Sequence, residues 1–161
     1  EDSDLESFVP VNYDKHFHGP VSVRTALGCS YNVPAVRALE RVGTTALLDT
    51  LRKSGLNDLK ETPEHYGLGL TLGDGSTSLL QLVAAYRALA KGGVYSPLTL
   101  LPNSSPVHGD SVLSERACYL ISDVLSDRQA RIASFGTPNV LEFPFPVAVK
   151  TGTSKGYRDN W

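Results

Sequence analysis

Val147-Ala148-Val149-Lys150-Thr151-Gly152-Thr153-Ser154 sets three apolar residues, two of them β-branched, directly before a lysine, two threonines and a glycine. The apolar run predicts a buried strand. Its end carries a fixed positive charge and hydroxyl donors, and Gly152 leaves the backbone there unshielded. Such an edge suits an extended anionic substrate, docked by strand addition with its carboxylate beside Lys150. A solvated strand end with a snorkelling lysine explains the same tripeptide, because Lys-Thr-Gly is short and common. The rest of the chain has to decide between them.

Working back from this strand, most of the chain reads as helix. Ser114 caps a helix with Ala117, Leu120, Ile121, Val124 and Leu125 inward. The region from Arg128 to Pro146 is loop, rich in aromatic residues and proline. Ser78 and Gln81 form a capping box for a core helix. Its apolar face is Leu79, Leu82, Val83, Tyr86, Leu89 and Ala90, ending at Gly92-Gly93. Shorter helices are expected from Val23 to about Gly28, capped by Ser22, from near Pro34 through Val36, Leu39 and Val42, and over about Thr45 to Ser54. Asn57 to Tyr66 reads as polar loop and Tyr95 to Leu101 as an edge strand. Asn103 to Gly109 reads as loop. After Lys150, Ser154 to Asn160 forms a hairpin turn, and Trp161 begins the return strand. The expected architecture is α/β (α+β): a helical portion followed by the start of an antiparallel sheet.

Gly67-Leu68-Gly69-Leu70-Thr71-Leu72-Gly73-Asp74-Gly75 does not have nucleotide-binding spacing. It is neither G-x-G-x-x-G nor a P-loop, and a tight approach of a strand-like segment to the next helix accounts for its glycines. Cys29 and Cys118 are too few for a disulfide framework and read as buried free thiols. His16 and His18 flank Phe17 without an obvious carboxylate or cysteine partner, so no metal site is assigned. The 161 residues are 41% hydrophobic and 20% charged, with a net charge of -2. That composition is globular, and the charge gives no reason to expect nucleic acid. The chain lacks methionine, opens on an acidic run and closes where a strand begins. It reads as one partial domain, residues 1–161, cut at both ends.

No Gly-x-Ser-x-Gly elbow is present. Ser30-Tyr31-Asn32 pairs a hydroxyl, which can pass a proton, with an amide that can both donate to and accept from a peptide. Alone, such a tripeptide is as well explained by a turn. With the Lys-Thr-Gly strand after a helical interval, it resembles the penicillin-recognising serine transferases. Asn12-Tyr13-Asp14, Phe17, Gly19-Pro20-Val21, Arg24, Ala26-Leu27, Pro34-Ala35-Val36-Arg37, Leu68-Gly69, Ala85-Tyr86, Ala88-Leu89-Ala90, Gly92-Gly93-Val94 and Arg158-Asp159-x-Trp161 extend the likeness. Together they resemble the bifunctional (class A) penicillin-binding proteins, most closely the 1C type.

The resemblance implies a peptidoglycan D,D-transpeptidase that cross-links stem peptides ending in D-Ala-D-Ala by serine acyl transfer, and that is acylated by β-lactam antibiotics. It assigns Ser30 and Lys150 to proton relay. Asn32 would hold the acyl-donor peptide. Thr151 and Thr153 would bind its terminal carboxylate, with Gly152 permitting close approach. The Thr153 N–H would donate to the oxyanion, a contact type worth roughly 3–4 kcal/mol in the transition state. The Arg158-Asp159 pair would brace the hairpin. No cofactor is implied. The family's nucleophile lies in a Ser-x-x-Lys motif, and none of this chain's lysines has serine three residues before it. The motif is therefore expected upstream, leaving the fragment inactive alone. The parent is expected to be periplasmic, anchored in the cytoplasmic membrane and part of a cell-wall synthesis complex. β-Lactamase or D,D-carboxypeptidase activity, and a non-catalytic β-lactam sensor or scaffold, are the alternatives. Tyr31, where related enzymes carry aspartate, speaks against β-lactamase.

Overall fold

The computed structural model describes residues 9–99, 108–154 and 158–160. Seven α-helices and two short strands follow in order among these residues: α1 (Val23–Gly28), α2 (Asn32–Val42), α3 (Thr44–Lys53), α4 (Pro63–Tyr66), α5 (Leu79–Ala90), β1 (Val94–Tyr95), β2 (Asp110–Ser111), α6 (Glu115–Ser126) and α7 (Ile132–Phe135). Short 3-10 helices occupy Gly67–Leu72 and Gln129–Arg131. The fold class is the expected one, helical with a small antiparallel sheet, but that sheet lies between α5 and α6 and not after the helices; in it Val94 pairs Ser111 and Tyr95 pairs Asp110.

Local chemistry sets most helix starts. Ser22, Ser78 and Ser114 each accept a hydrogen bond from the backbone N–H three residues on, as does Thr62 before α4. Each such cap contributes about 1 kcal/mol. The box at α5 is half made. Gln81 N–H donates to Ser78 Oγ, but Gln81 Oε1 is taken by Asp58 N–H at 3.2 Å and Thr77 Oγ1 at 3.1 Å. The glutamine thus ties α5 to the loop before α4 instead of closing back on Ser78.

The core gathers Leu39 of α2, Leu48 of α3, Leu56, Leu59, Tyr66 and Leu70, with Leu47 and Leu51 against it. Leu48 is wholly buried. Fully burying a side chain of this size stabilises a fold by about 1.5–3 kcal/mol. The segment expected as polar loop, Asn57 to Tyr66, therefore supplies two core residues and a short helix. Its polar residues face out while Leu59 and Tyr66 turn inward.

Helix α5 buries only part of the expected face: Leu82 and Leu89 are half-buried. Ala84 and Ala88 are buried, whereas Leu79, Val83 and Tyr86 are 61%, 51% and 48% exposed. A helix apolar on nearly all sides carries no direction in its periodicity. Its alanines let it sit close to β1 and α6. In α6, Cys118, Val124 and Leu125 are buried but Ala117 and Leu120 are exposed; in α2, Val42 is exposed. Gly67–Leu72 is a 3-10 helix and not strand-like. The strand expected from Tyr95 begins one residue earlier and ends at Tyr95, with Leu100 and Leu101 outside the described residues. Most of the loop expected over Asn103–Gly109 lies outside them too.

Val147–Val149 joins no ladder among the described residues, contrary to the strand expectation. A strand is a property of paired backbones, and here the Val149 N–H instead donates to the Leu125 carbonyl at 3.1 Å. Past it, Thr153 bridges Asn160 in antiparallel fashion and Ser154 N–H reaches Asp159 O at 2.9 Å, the frame of the expected hairpin. Lys155 to Tyr157 and Trp161 lie outside the described residues. Asp159 binds Ser154 through its own N–H and its carboxylate. The described ion pairs place Arg158 in none of them.

Candidate active site

Ser30 owes its position to the way α1 ends. Tyr31 N–H donates to Ala26 O at 2.9 Å and Ser30 N–H to Leu27 O at 3.2 Å. These two bonds form a Schellman ending, in which the residue after the C-cap lies in the left-handed region and is usually glycine. Here it is Ser30, with φ of 58°. A side chain in that conformation costs roughly 1–2 kcal/mol. The hydroxyl is thus held on a tight, strained turn between α1 and α2, a placement common at functional sites.

Helix α6 and the turn after it bring this corner to the Lys150 segment. Arg24 of α1 reaches the carboxylates of Asp123 and Asp127, which hold its guanidinium above the ordinary arginine range, Asp123 foremost. Beyond Arg24, Cys29 Sγ–H donates to Ala130 O at 3.3 Å, and a side chain at Gly28 would meet that carbonyl at 2.8 Å. On the other side, Leu125 O receives Val149 N–H and also the guanidinium of buried Arg131. Both segments are fastened to one scaffold.

The result is direct contact. Lys150 Nζ donates to Ser30 Oγ at 2.6 Å and to Thr151 O at 2.6 Å. No carboxylate among the described residues pairs with Lys150, and burial alone pushes its ammonium below its ordinary value of 10.5. A lysine so placed gives up its proton more readily. In its neutral form it can take one from the hydroxyl it touches. Ser30 and Lys150 thus stand within proton-transfer distance of each other.

Asn32 opens α2 and is half-buried; its Nδ2 donates to Val11 O at 2.9 Å. Among the described residues nothing donates to its Oδ1, leaving that oxygen to accept an N–H from outside. Thr151 and Gly152 are half-buried and Thr153 is exposed. Thr153 lies against the glycine-rich segment: a side chain at Gly73 would meet Thr153 O at 3.0 Å. So Gly73 serves a close approach toward the Lys-Thr-Gly segment, while Gly69 and Gly75 make room for Asp74 and Leu59.

Several contacts at this corner carry no signal in sequence spacing. Asp14 is a carboxylate partner of His18, which the sequence reading leaves without one. Its Oδ2 meets His18 Nε2 at 2.8 Å, and His16 N–H donates to Oδ1 at 3.0 Å. The His16 hydrogen bond foremost, with His18 adding to it, holds the Asp14 carboxyl below its ordinary value. The His18 ring stacks on Tyr31, centroids 4.1 Å apart and 10° from parallel. No group of three or more potential metal ligands occurs among the described residues. Both cysteines are free and buried, as expected. No helix among the described residues is long and apolar enough to cross a membrane.

Comparison with known proteins agrees with this geometry. The penicillin binding protein transpeptidase domain matches residues 3–160. Penicillin-binding protein 1C of Escherichia coli is 36% identical over 94% of the chain and 19% of its own length. Penicillin-binding protein 1A of Aquifex aeolicus is 32% identical over 97% of the chain and 22% of its own length. For penicillin-binding protein 1A/1B of Bacillus subtilis the values are 29%, 93% and 19%. The chain spans about a fifth of the length of these relatives. With a helical portion and small sheet of the expected kind, and the likeness to a 1C protein over almost all its length, the chain belongs to the penicillin-binding-protein transpeptidase family.

Proposed function

We propose that this chain is part of a serine-type D,D-transpeptidase that cross-links peptidoglycan stem peptides and is acylated by β-lactams. The observation that carries this reading is the 2.6 Å contact with Ser30 of a half-buried Lys150 that pairs with no carboxylate among the described residues. The nucleophile is a serine of a Ser-x-x-Lys motif, which these 161 residues do not contain. Its hydroxyl attacks the carbonyl between the two D-alanines, forming an ester and releasing the terminal D-alanine. The hydroxyl gives up one proton and the departing amine takes one. Ser30 and Lys150 move that proton between them.

Asn32 Oδ1 accepts from the donor peptide's backbone. Thr151 and Thr153 bind the terminal carboxylate, with Gly152 between them allowing close approach, and the Thr153 N–H donates to the oxyanion. An amine of a second stem peptide then takes the acyl group. Residues 1–161 form one partial domain of a periplasmic, membrane-anchored protein working within a cell-wall synthesis complex. The reaction calls for no cofactor, because the leaving group is the substrate's own terminal D-alanine and side chains supply the nucleophile and the proton path.

The test uses the polypeptide that supplies the Ser-x-x-Lys serine together with this chain. It is incubated with benzylpenicillin, weighed intact and mapped by peptides. A single adduct on that serine is expected, with cross-linked product from stem peptides. No adduct on the folded protein overturns the reading in favour of a sensor or scaffold. An adduct on Ser30 overturns the assignment of roles.

A further inference from the structure

Helix α2 begins at Asn32 without a side-chain cap of its own. Tyr31 stands at its N-cap and makes no capping hydrogen bond. The first N–H groups of a helix need acceptors. One is provided from 21 residues away: Val33 N–H donates to Asn12 Oδ1 at 3.1 Å. Asn12 is only 4% exposed, in a loop whose neighbours are nearly all exposed, and its Nδ2 donates to His16 O at 2.7 Å. Lys15 N–H closes the turn on Asn12 O at 2.9 Å. All polar atoms of that amide are thus committed, one to the helix and one to its own loop.

The residue before it completes the grip. Val11 O accepts from Asn32 Nδ2 at 2.9 Å. Consecutive residues 11 and 12 therefore hold consecutive residues 32 and 33, one by the side-chain amide and the next by the backbone N–H. An amide held by its nitrogen has its oxygen aimed by default. In this geometry Asn32 Oδ1 is fixed by the Val11 carbonyl, and the Val11 carbonyl is fixed by the buried Asn12.

We infer that Asn12 is a positioning residue for the reaction: it supplies the missing cap of α2 and, through the Val11–Asn32 bond, orients the amide that receives the acyl-donor peptide. This rests on the role proposed for Asn32. It does not touch the Ser30–Lys150 pair. Its loss should therefore weaken the initial complex with a β-lactam and leave the acylation step within that complex nearly untouched.

The experiment is single-turnover acylation by benzylpenicillin in the polypeptide that supplies the nucleophile, separating initial binding from the acylation rate constant, for Asn12→Ala and Asn12→Asp. For Asn12→Ala, binding is expected to weaken about five- to tenfold, the size of one lost cap. The acylation rate constant and its pH profile should stay as in the parent. Asn12→Asp keeps an acceptor for Val33 N–H at a helix N-terminus that favours negative charge but gives up the donation to His16 O, and should recover part of the binding. Amide hydrogen exchange at Val33, read in the same proteins, should quicken in Asn12→Ala and not in Asn12→Asp. Unchanged binding in Asn12→Ala, a loss confined to the acylation step, or no recovery with Asp would overturn the inference. If the parent protein takes no adduct, the proposed activity fails instead. The exchange at Val33 then decides the clamp by itself: equal exchange in all three proteins overturns it.

Discussion

Lys150 Nζ and Ser30 Oγ stand 2.6 Å apart although 120 positions of chain separate them. The serine sits where a Schellman ending would ordinarily place glycine. Its backbone conformation serves the contact and not the stability of α1. That conflict can be measured. Ser30→Gly removes the hydroxyl but relieves the left-handed strain, so the fold should stay within about 1 kcal/mol of the parent or gain slightly. Ser30→Ala keeps the strain and should be about 1 kcal/mol less stable than the glycine variant. Both should lose penicillin acylation by about 10²–10⁴-fold, the usual share of a proton-transfer group. Denaturant unfolding beside acylation kinetics reads the two effects separately. A glycine variant less stable than the alanine one would mean that φ at residue 30 is not strained.

On the proposed reading, Lys150 should set the pH dependence. Burial lowers its proton affinity below the ordinary 10.5. Between the lowered value and 10.5 the unfolded chain holds the extra proton and the folded one does not, so stability rises with pH through that window. Below the folded value both states are charged, and the cost of the half-buried ammonium is present in full. Acylation should follow the neutral lysine, rising with pH to a plateau whose midpoint falls below 10.5. Lys150→Arg, which stays charged at any such pH, should abolish acylation while keeping a cation in place. Single-turnover rates from acid to mildly alkaline pH provide the check. A flat profile in the parent would remove Lys150 from the proton path.

The ends of α1, α3 and α6 are legible in the sequence where caps and stops are local: Ser22, Ser114 and Gly55 act on their immediate neighbours, whereas α2 starts at Asn32, two residues before the expected Pro34, because its cap comes from distant Asn12. What the sequence concealed was direction. Helix α5 is apolar on nearly every side, so the burial of Ala84 and Ala88 in place of Leu79 and Tyr86 depends on β1 and α6, which no window of residues contains. Val147–Val149 has strand composition, but pairing requires another backbone. In the site, the motif residues stood out by type and order. Asn12, Asp14 and Gly73 act through contacts made by folding, and an asparagine in a polar loop gives no sign that it will be buried.

Gly73 allows the last part of the proposed carboxylate-binding segment to be tested without touching a proposed catalytic group. It lies at φ of 99°, and a side chain there would come within 3.0 Å of Thr153 O and 3.3 Å of Ser154 Cα. Gly67 also has positive φ, at 52°, but has open space where a side chain would project. Gly67→Ala should therefore cost backbone strain alone, on the order of 1 kcal/mol, with penicillin affinity as in the parent. Gly73→Ala should carry the same kind of strain and in addition displace Thr153. The backbone of residues 153–154 cannot yield as a flexible side chain would. Penicillin affinity should fall at least several-fold beyond the Gly67→Ala value, with acylation of the bound complex slowed as well, since the Thr153 N–H is the proposed oxyanion donor. Thermal unfolding and single-turnover acylation of the two variants make the comparison. Equal affinities would mean that the Gly73 contact does not set the position of Thr153.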